Sequence, residues 1–337
     1  MILTLKQGAT DQQIKQIEDT AKEFGFIPEV SRGREKTIIL IKGENAILTR
    51  DKFEAFEAVD FITRISEPFK LVSKKWKEKT VVDIDGEKIG DKKIALMAGP
   101  CSVENMVTTM KTAEEVRKTG NTPFFRGGAF KPRTSPYSFQ GMGEEGLKIL
   151  KEISLKTGMK IVTEAMDVRQ VELVEQYGDI LQVGARNMQN FELLKECGKA
   201  KIPVLLKRGF SNTVTEFLMS AEYVASEGNT DIILCERGIR TFSDFVRFTL
   251  DVSAVPVLKA NTHLPVIVDP SHPAGKREFV EALSLASVAA GADGLLIEVH
   301  INPEKATSDG AQTVSPAQYA GIVDKVSRVA EALGRQV

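Results

Sequence analysis

Cysteine, histidine and tryptophan are scarce in this sequence, with three, three and one among 337 residues. Three cysteines cannot form the disulfide framework of a small secreted protein, so they indicate a reducing compartment and a cytoplasmic protein. No apolar run is long enough to cross a bilayer, and the opening residues MILTLK lack the apolar core of a signal peptide. The net charge of -1 gives no overall field favouring nucleic acid or a membrane surface.

Hydrophobic residues make up 42% of the chain and charged residues 27%, as in an ordinary globular protein. This composition supports a sizeable core and excludes a disordered chain. The length is enough for one large domain and one small domain. The patterns divide the chain into residues 1–69, residues 70–91 and residues 92–337.

Residues 1–69 predict a small α+β domain. The order strand–helix–strand–strand–helix–strand is that of a ferredoxin-like unit. The predicted strands are Ile2–Leu5, Phe26–Val30, Thr37–Ile41 and Phe61–Ile65, and the predicted helices are Thr10–Phe24 and Asp51–Ala58. Because this segment holds no histidine or cysteine, we expect a role in regulation or assembly there and not in catalysis.

Residues 70–91 predict a linker followed by a β-hairpin. The run KKWKEK at 74–79 is compatible with nucleic-acid binding, but nothing else in the chain supports that function, so a solvated hinge is favoured. The pair Asp85-Gly86 between apolar residues is a hairpin signal.

Residues 92–337 alternate apolar runs with amphipathic stretches eight times. The predicted strands are Ile94–Ala98, Pro123–Arg126, Ile161–Glu164, Ile180–Val183, Val204–Lys207, Ile232–Cys235, Val266–Val268 and Gly294–Ile297. The length fits a (β/α)8 TIM barrel, which takes about 250 residues, and continuous apolar runs are typical of its buried parallel strands. An open doubly wound sheet is the alternative, but the glycine-rich dinucleotide motif is missing.

Polar residues follow the apolar runs at their carboxyl ends, where a barrel has its active site. One group is cationic: Arg126, Lys131, Arg133, Arg186, Lys207, Arg208 and Arg237. So many cations on one face require anionic ligands, either two phosphates or a phosphate and a carboxylate. For Arg208 an outward salt bridge is the alternative, because Lys207 beside it must take the other side. Thr134 and Ser135 add hydroxyls to a loop that Pro132 and Pro136 stiffen.

A second group combines one thiol, one imidazole and two carboxylates: Cys101, His272, Glu298 and Asp309. Mixed sulfur, nitrogen and oxygen donors suit one divalent metal ion of the Mn, Fe, Co or Zn class. No CxxC or HExxH spacing supports the site, so it depends on the fold joining distant strands. Cys101 as a packed core residue and His272 as a capped loop residue remain alternatives. We expect His263 at the opposite rim, His300 beside the metal site, and Cys197 and Cys235 in packing.

The motifs at these positions resemble those of the 3-deoxy-D-arabino-heptulosonate 7-phosphate (DAHP) synthases. They are GPCSVE (99–104), RGGAFKPRTSPYSFQG (126–141), VTEAMD (162–167), VGARNMQN (183–190), LLKRG (205–209), ILCERGIRTF (233–242), VDPSH (268–272) and the late EVH and SDG. The resemblance covers the whole barrel. The order of the N-terminal elements resembles the subgroup with a ferredoxin-like regulatory domain.

This resemblance implies a metal-dependent condensation of phosphoenolpyruvate with erythrose 4-phosphate, the first step of the shikimate pathway. It implies that Arg186, Lys207 and Arg237 hold the phosphoenolpyruvate phosphate, and that Arg126 and Lys131 hold its carboxylate end. By the same likeness, Pro132, Arg133, Thr134 and Ser135 form the erythrose 4-phosphate site. The catalytic residues implied are Lys131, Glu164, Lys207, Cys101 and His272, and the metal ligands match the four donors named above.

The nearest alternative is 3-deoxy-D-manno-octulosonate 8-phosphate synthase, which shares the barrel and the donor substrate. Its loop typically carries an Asn-Arg pair where this chain has Pro132-Arg133, so DAHP synthase is favoured. A ligand-sensing barrel that binds phosphorylated metabolites without turnover is a further alternative. The family likeness also implies a homotetramer and feedback inhibition by tyrosine or phenylalanine through the N-terminal domain.

Overall fold

The computed structural model describes residues 1–32, 37–43, 45–63, 68–131 and 135–337, and these form two compact units, Met1–Lys70 and Leu71–Val337. Among the described residues, no helix has both the length and the apolar character needed to span a membrane.

The first unit is built on a four-stranded antiparallel sheet with strand order β2-β3-β1-β4. Its elements in chain order are β1 (Ile2–Leu5), α1 (Asp11–Glu23), β2 (Ile27–Arg32), β3 (Thr37–Lys42), α2 (Arg50–Glu54) and β4 (Val59–Thr63). Thr10 caps the start of helix α1, and its side chain and that of Gln13 form a capping box. Apolar residues on one face of the sheet, such as Leu3 and Ile39, are buried against Ile17 of α1 and Phe53 of α2.

Several boundaries in this unit differ from the prediction, among them the end of β2, which extends to Arg32. The second helix ends at Glu54, and a single turn of 3-10 helix (Ala46–Thr49) precedes it. The strand predicted at Phe61–Ile65 begins earlier, at Val59, and its last two residues lie outside the described part of the chain. Thr49 makes no side-chain hydrogen bond that caps the short helix, so its boundaries leave only a weak signal in the sequence.

The first two strands of the second unit form the predicted hairpin, β5 (Val82–Ile84) and β6 (Glu87–Ile89). Asp85 and Gly86 both have positive φ, at 50° and 93°, which is the geometry of a tight two-residue turn. The hairpin buries Val82 and Ile89 in one cluster with barrel residues such as Met97 and Phe124. It therefore shares the core of the barrel and is not part of a solvated linker.

The remainder is a closed barrel of eight parallel strands, as the sequence predicts. The strands are β7 (Ala95–Gly99), β8 (Phe124–Arg126), β9 (Lys160–Ala165), β10 (Ile180–Val183), β11 (Val204–Lys207), β12 (Ile232–Glu236), β13 (Val266–Val268) and β14 (Gly294–Glu298). Strand β14 pairs with β7 and closes the barrel. Because all eight strands run in the same direction, their polar carboxyl ends meet on one face.

The barrel helices follow their strands in sequence. They are α3 (Met106–Lys118), α4 (Glu144–Thr157), α5 (Val171–Tyr177), α6 (Phe191–Lys199), α7 (Val214–Ser226), α8 (Ala254–Asn261), α9 (Ser271–Ala274), α10 (Arg277–Ala289) and α11 (Pro316–Ala332). The four-residue helix α9 carries His272 and has no amphipathic repeat long enough to be predicted.

His263 lies before β13, at the end of the barrel opposite the polar face, as expected. Its Nδ1 lies 2.8 Å from the hydroxyl of Thr80, and its Nε2 lies 2.8 Å from the carbonyl oxygen of Leu71. A neutral ring protonated at Nε2 satisfies both contacts, since Nε2 donates and Nδ1 accepts. His263 therefore fastens the segment that leads to the hairpin onto the barrel.

This contact predicts a pH dependence of stability. Burial lowers the pKa of His263, and Lys77 adds to the effect, against opposing contributions from the Leu71 carbonyl group and Glu222. The unfolded chain therefore takes up a proton near pH 6.5 that the folded state resists. The stabilisation is fully present above that pH and is lost as pH falls.

In urea unfolding between pH 7 and pH 5, we expect the free energy of unfolding to fall less steeply in His263→Gln than in the wild type. Glutamine can keep both hydrogen bonds but cannot titrate. Burial also lowers the pKa of His272, so only the difference between the two proteins measures the effect of His263. Identical slopes would show that this ring does not contribute.

Candidate active site

A cavity of about 300 Å³ opens at the carboxyl ends of the barrel strands. Its lining includes nine of the residues predicted for the site: Arg126, Lys131, Ser135, Glu164, Arg186, Lys207, Arg237, His272 and Asp309. Pro132, Arg133 and Thr134, predicted for the second substrate, lie outside the described residues.

Cys101, His272, Glu298 and Asp309, the donor cluster, come together although they follow different strands. Ligand atoms of Cys101, Glu298 and Asp309 all lie within 4.8 Å of one another. Nε2 of His272 lies 3.6 Å from a carboxylate oxygen of Glu298 and 3.9 Å from one of Asp309. The closed barrel thus joins residues that are up to 208 positions apart in sequence.

Asp269, three residues before His272, orients the imidazole. Its Oδ2 lies 2.6 Å from Nδ1 of His272, although the contact is not aligned as a straight hydrogen bond. Its Oδ1 accepts from the backbone N–H groups of Ser271 and His272. A carboxylate at Nδ1 keeps the proton on that nitrogen and leaves the Nε2 lone pair facing the other donors.

Burial and neighbouring charges shift two pKa values in the donor cluster. Burial, with Glu298 adding to it, raises the pKa of the Cys101 thiol to about 11. Burial also acts to raise the pKa of Asp309, but His272 and Arg247 outweigh it and hold that pKa at about 2. The thiol therefore keeps its proton at neutral pH unless a cation binds, and its Sγ donates to Asp309 at 3.2 Å.

The chemistry of the donor cluster fits a divalent transition metal. It offers one sulfur, one imidazole nitrogen and two carboxylates, the mixed set that suits such ions. Neutral His272 has its free nitrogen directed at the cluster, and a bound cation would release the thiol proton.

Glu298 is held from two sides. Arg126 donates to its Oε1 at 3.0 Å, and Gln312 donates to its Oε2 at 2.6 Å. Arg247 in turn donates to Gln312 and to Asp309, each at 3.1 Å. Arg247 and Gln312 were not predicted from the sequence, because nothing in a loop sequence indicates a contact between segments some 60 residues apart.

The predicted cations differ in their partners. Lys207 donates to Asp269 at 2.5 Å, and Lys131 donates to the Cys101 carbonyl at 2.9 Å and lies 3.0 Å from its sulfur. Arg186 and Arg237, in contrast, have no carboxylate within 4.0 Å among the described residues. The anion-binding capacity of the cavity is therefore greatest at these two arginines.

Arg208 takes the outward alternative. Its Nη1 lies 2.9 Å from Glu236 and 2.8 Å from Asp251. Burial raises the pKa of Glu236, against the opposing effect of Arg208. This ion pair lies behind the strand ends, so Arg208 is a structural residue and not a ligand of the cavity.

Glu164 lies on the cavity wall, where Gln182 donates to its Oε2 at 3.0 Å. Its Oε1 is buried and has no hydrogen-bond partner among the described residues. Gly184 makes room for it, since a Cβ at that position would lie 2.1 Å from Oε1. A carboxylate oxygen in this setting can accept a hydrogen bond from a molecule in the cavity.

The loops that carry Cys101 and Asp309 are fastened together by their neighbours. The hydroxyls of Ser102 and Ser308 lie 2.5 Å apart. Glu104 accepts a hydrogen bond from the backbone N–H of Thr307 at 2.6 Å, and its other oxygen lies 3.4 Å from Nε2 of His300. His300 thus lies beside the donor cluster, as expected, and it stabilises the loop that ends there.

Comparison with known proteins gives consistent matches. The chain matches the DAHP synthetase I family over residues 14–333. It is 48% identical over its full length, and over all of the relative, to phospho-2-dehydro-3-deoxyheptonate aldolase of Thermotoga maritima. A crystal structure of DAHP synthase from that organism superposes with a TM-score of 0.95 at 47% identity, covering 100% of this chain and 98% of the other.

A more distant relative is 2-dehydro-3-deoxyphosphooctonate aldolase of Geobacter sulfurreducens, at 32% identity over 71% of this chain and 93% of the relative. This match leaves more than a quarter of the chain uncovered, in contrast to the full-length match with the Thermotoga enzyme.

The Arg208–Glu236 contact predicts a large stability effect. Arg208→Ala leaves Glu236 buried without its cation, and breaking one side of a buried ion pair costs about 3–5 kcal/mol. We expect a loss of that size in the free energy of unfolding measured with urea. Arg169→Ala is the control, because its ion pair with Asp167 is exposed and its loss should leave the free energy of unfolding nearly unchanged. Equal losses in the two variants would contradict the assignment.

Proposed function

The chain belongs to the DAHP synthetase I family and is an enzyme of the transferase class, and we propose that it condenses phosphoenolpyruvate with erythrose 4-phosphate. The products are DAHP and inorganic phosphate, and the reaction is the first step of the shikimate pathway. The observation that carries this proposal is one cavity whose lining combines Arg186 and Arg237, which have no carboxylate partner among the described residues, with His272 and Asp309 of the donor cluster.

Each substrate of this reaction carries a phosphate, and phosphoenolpyruvate carries a carboxylate as well. Arg186, Arg237 and Lys207 line one part of the cavity and suit the phosphate of phosphoenolpyruvate. Arg126 and Lys131 lie next to the donor cluster and suit its carboxylate end. Ser135, the one described residue of the proposed erythrose 4-phosphate site, also lines the cavity.

The donor cluster would hold one divalent metal ion of the Mn, Fe, Co or Zn class. Such an ion supplies Lewis-acid polarisation of the aldehyde of erythrose 4-phosphate. Asp269 sets the ring of His272 for this task, and Arg126 and Gln312 hold Glu298 in place.

The side chains of the cavity provide the remaining chemistry. Binding two anions side by side brings the methylene carbon of phosphoenolpyruvate to the aldehyde carbon, and a carbon–carbon bond forms between them. Lys131 would protonate the alkoxide that results. Positive charge develops at the enol carbon, and a water held by Glu164 and Lys207 adds there. The hemiketal phosphate then loses inorganic phosphate by C–O cleavage.

The octulosonate phosphate synthase reaction is the second candidate, because it uses the same donor and the same barrel. The Geobacter sulfurreducens relative, which is 32% identical to this chain, gives this second candidate only distant support. The sequence Pro132-Arg133 favours the four-carbon aldehyde, although these residues lie outside the described part of the chain.

We further propose that the first unit is a ferredoxin-like regulatory domain that makes the enzyme sensitive to tyrosine or phenylalanine. Its antiparallel four-stranded sheet with helices between strands supports this proposal. Its described residues include no histidine or cysteine, so it offers no site for this chemistry. Because the sequence resembles those of its family, we also propose that the enzyme is a homotetramer in the cytoplasm.

Phosphate release tests the reaction and the metal together. We expect release from phosphoenolpyruvate with erythrose 4-phosphate, its loss with EDTA, and at least a 100-fold lower rate in Cys101→Ala, because the thiolate ligand is removed. Cobalt(II) titration of the Cys101→Ala protein should lack the sulfur-to-cobalt absorption band that the wild type shows. Cys197→Ala, which removes a buried thiol from α6, is the matched control and should keep both properties.

Arabinose 5-phosphate in place of erythrose 4-phosphate separates the two candidate reactions. Phosphate release with arabinose 5-phosphate alone would show that the chain catalyses the octulosonate phosphate synthase reaction. Release with neither aldehyde would refute both.

Deletion of residues 1–69 tests the regulatory proposal. We expect the shortened enzyme to stay active and to lose inhibition by tyrosine or phenylalanine, because the effector site lies in the deleted unit. The measurement is the initial rate at rising effector concentration for both proteins. Inhibition that persists after the deletion would place the effector site in the barrel unit.

A further inference from the structure

Two stacked phenylalanines, Phe210 and Phe248, line the cavity beside the arginines that lack carboxylate partners. Their ring centroids lie 5.1 Å apart with an interplanar angle of 10°. We call them the aromatic pair. Phe210 lies in the loop after β11 and Phe248 lies in the loop after β12.

Four guanidinium groups surround the aromatic pair. Arg237 is the nearest, with its Cζ 4.9 Å from the Phe210 centroid and 4.2 Å from the Phe248 centroid. Arg186 lies 5.7 Å from Phe210. Arg240 at 6.0 Å and Arg247 at 5.9 Å lie at the limit of a cation–π contact.

Arg237 has few other interactions. It is 3% exposed, and its guanidinium donates only to the carbonyl oxygen of Gly238, at 3.4 Å, among the described residues. Burial lowers the pKa of Arg237 to about 10, so it stays charged at neutral pH while it lacks a full counter-charge. This charge therefore favours an incoming anion.

Backbone contacts fix the aromatic pair independently of the guanidinium groups. The N–H of Arg240 donates to the carbonyl oxygen of Phe210 at 2.7 Å, and the N–H of Phe248 donates to that of Pro273 at 3.1 Å. Ile239 and Thr249 exchange two hydrogen bonds of 2.9 Å, which close the loop between Arg237 and Phe248. The ring faces are therefore held where the guanidinium groups need them.

An aromatic face and a carboxylate beside an arginine differ in how many of its N–H donors stay free for a ligand. A carboxylate satisfies the N–H donors of a guanidinium and neutralises its charge, so a phosphate must displace it. A ring face attracts the cation and restricts its position but accepts none of its in-plane N–H donors. The donors of Arg237 and Arg186 then remain available to one anion.

We propose that the aromatic pair positions Arg237 and Arg186 for the phosphate of phosphoenolpyruvate, and that Phe248 is a positioning residue for this substrate. The inference rests on the proposed function. The inference extends the proposed function, because it assigns part of the affinity for phosphoenolpyruvate to the π faces of two residues that do not themselves bind phosphate.

The test compares ring shape with ring electrostatics at one position of the full-length protein. Phe248→Leu removes the ring, and replacement of Phe248 by pentafluorophenylalanine keeps its shape but reverses the charge distribution of its face. We expect each change to weaken the binding of phosphoenolpyruvate and of inorganic phosphate by about 5- to 30-fold in calorimetric titrations.

Kinetic measurements separate positioning from general damage. The KM for phosphoenolpyruvate should rise by the same factor, while kcat and the KM for erythrose 4-phosphate change less than about twofold. Phe279→Leu is the matched control. It removes a cation–π contact outside the cavity, in which the ammonium group of Lys276 lies 5.8 Å from the ring centroid of Phe279. It should leave the affinity for phosphoenolpyruvate unchanged.

The pentafluorophenylalanine protein decides the question even if Phe248→Leu folds poorly. Wild-type affinity in that protein would overturn the proposal, because the ring would then act by shape alone. Equal affinity in wild type and Phe248→Leu would also overturn it. A wild-type protein that binds no phosphoenolpyruvate would instead refute the proposed function, so the two failures are distinguishable.

Discussion

Burial of charge at the carboxyl ends of the barrel strands is the constraint on which this structure depends. Each buried cation must have a partner, since an uncompensated charge costs several kcal/mol away from water. The protein meets this requirement unevenly: Arg126 pairs with Glu298 and Lys207 pairs with Asp269, whereas the buried Arg237 and the exposed Arg186 lie against aromatic rings. The uneven pairing divides the cavity into a part suited to a metal and a part suited to an anion.

The fold supports this arrangement from a distance. The hairpin at the opposite end of the barrel fills its core with Val82 and Ile89, and His263 fastens the segment before it. At the polar face, Ser102 and Ser308 join the loops that carry Cys101 and Asp309. Few of these contacts involve the functional groups directly, yet together they leave those groups little freedom to relax away from one another.

Much of the barrel could be predicted from the sequence because buried parallel strands leave a local signal, a continuous apolar run with a polar residue at its end. The four donors could be predicted in part by their chemistry and in part by family likeness. Asp269 was visible beside His272, but its role depends on a side-chain direction that no pattern records. Arg247, Phe248 and Gln312 act across loops distant in sequence, and only the closed barrel shows their contacts.

The pairing of β14 with β7 also determines when the donor cluster can form during folding. Cys101 follows the first strand of the barrel and Asp309 follows the last, so the donor cluster does not exist until the barrel has closed. During synthesis more than 200 further residues are therefore added after Cys101 before the last of its partner ligands, Asp309, emerges. A metal held by all four groups would bind only the closed form, and would shift the folding equilibrium toward it by mass action. Metal supply in the cell would then influence how much of this protein persists as well as how fast it works.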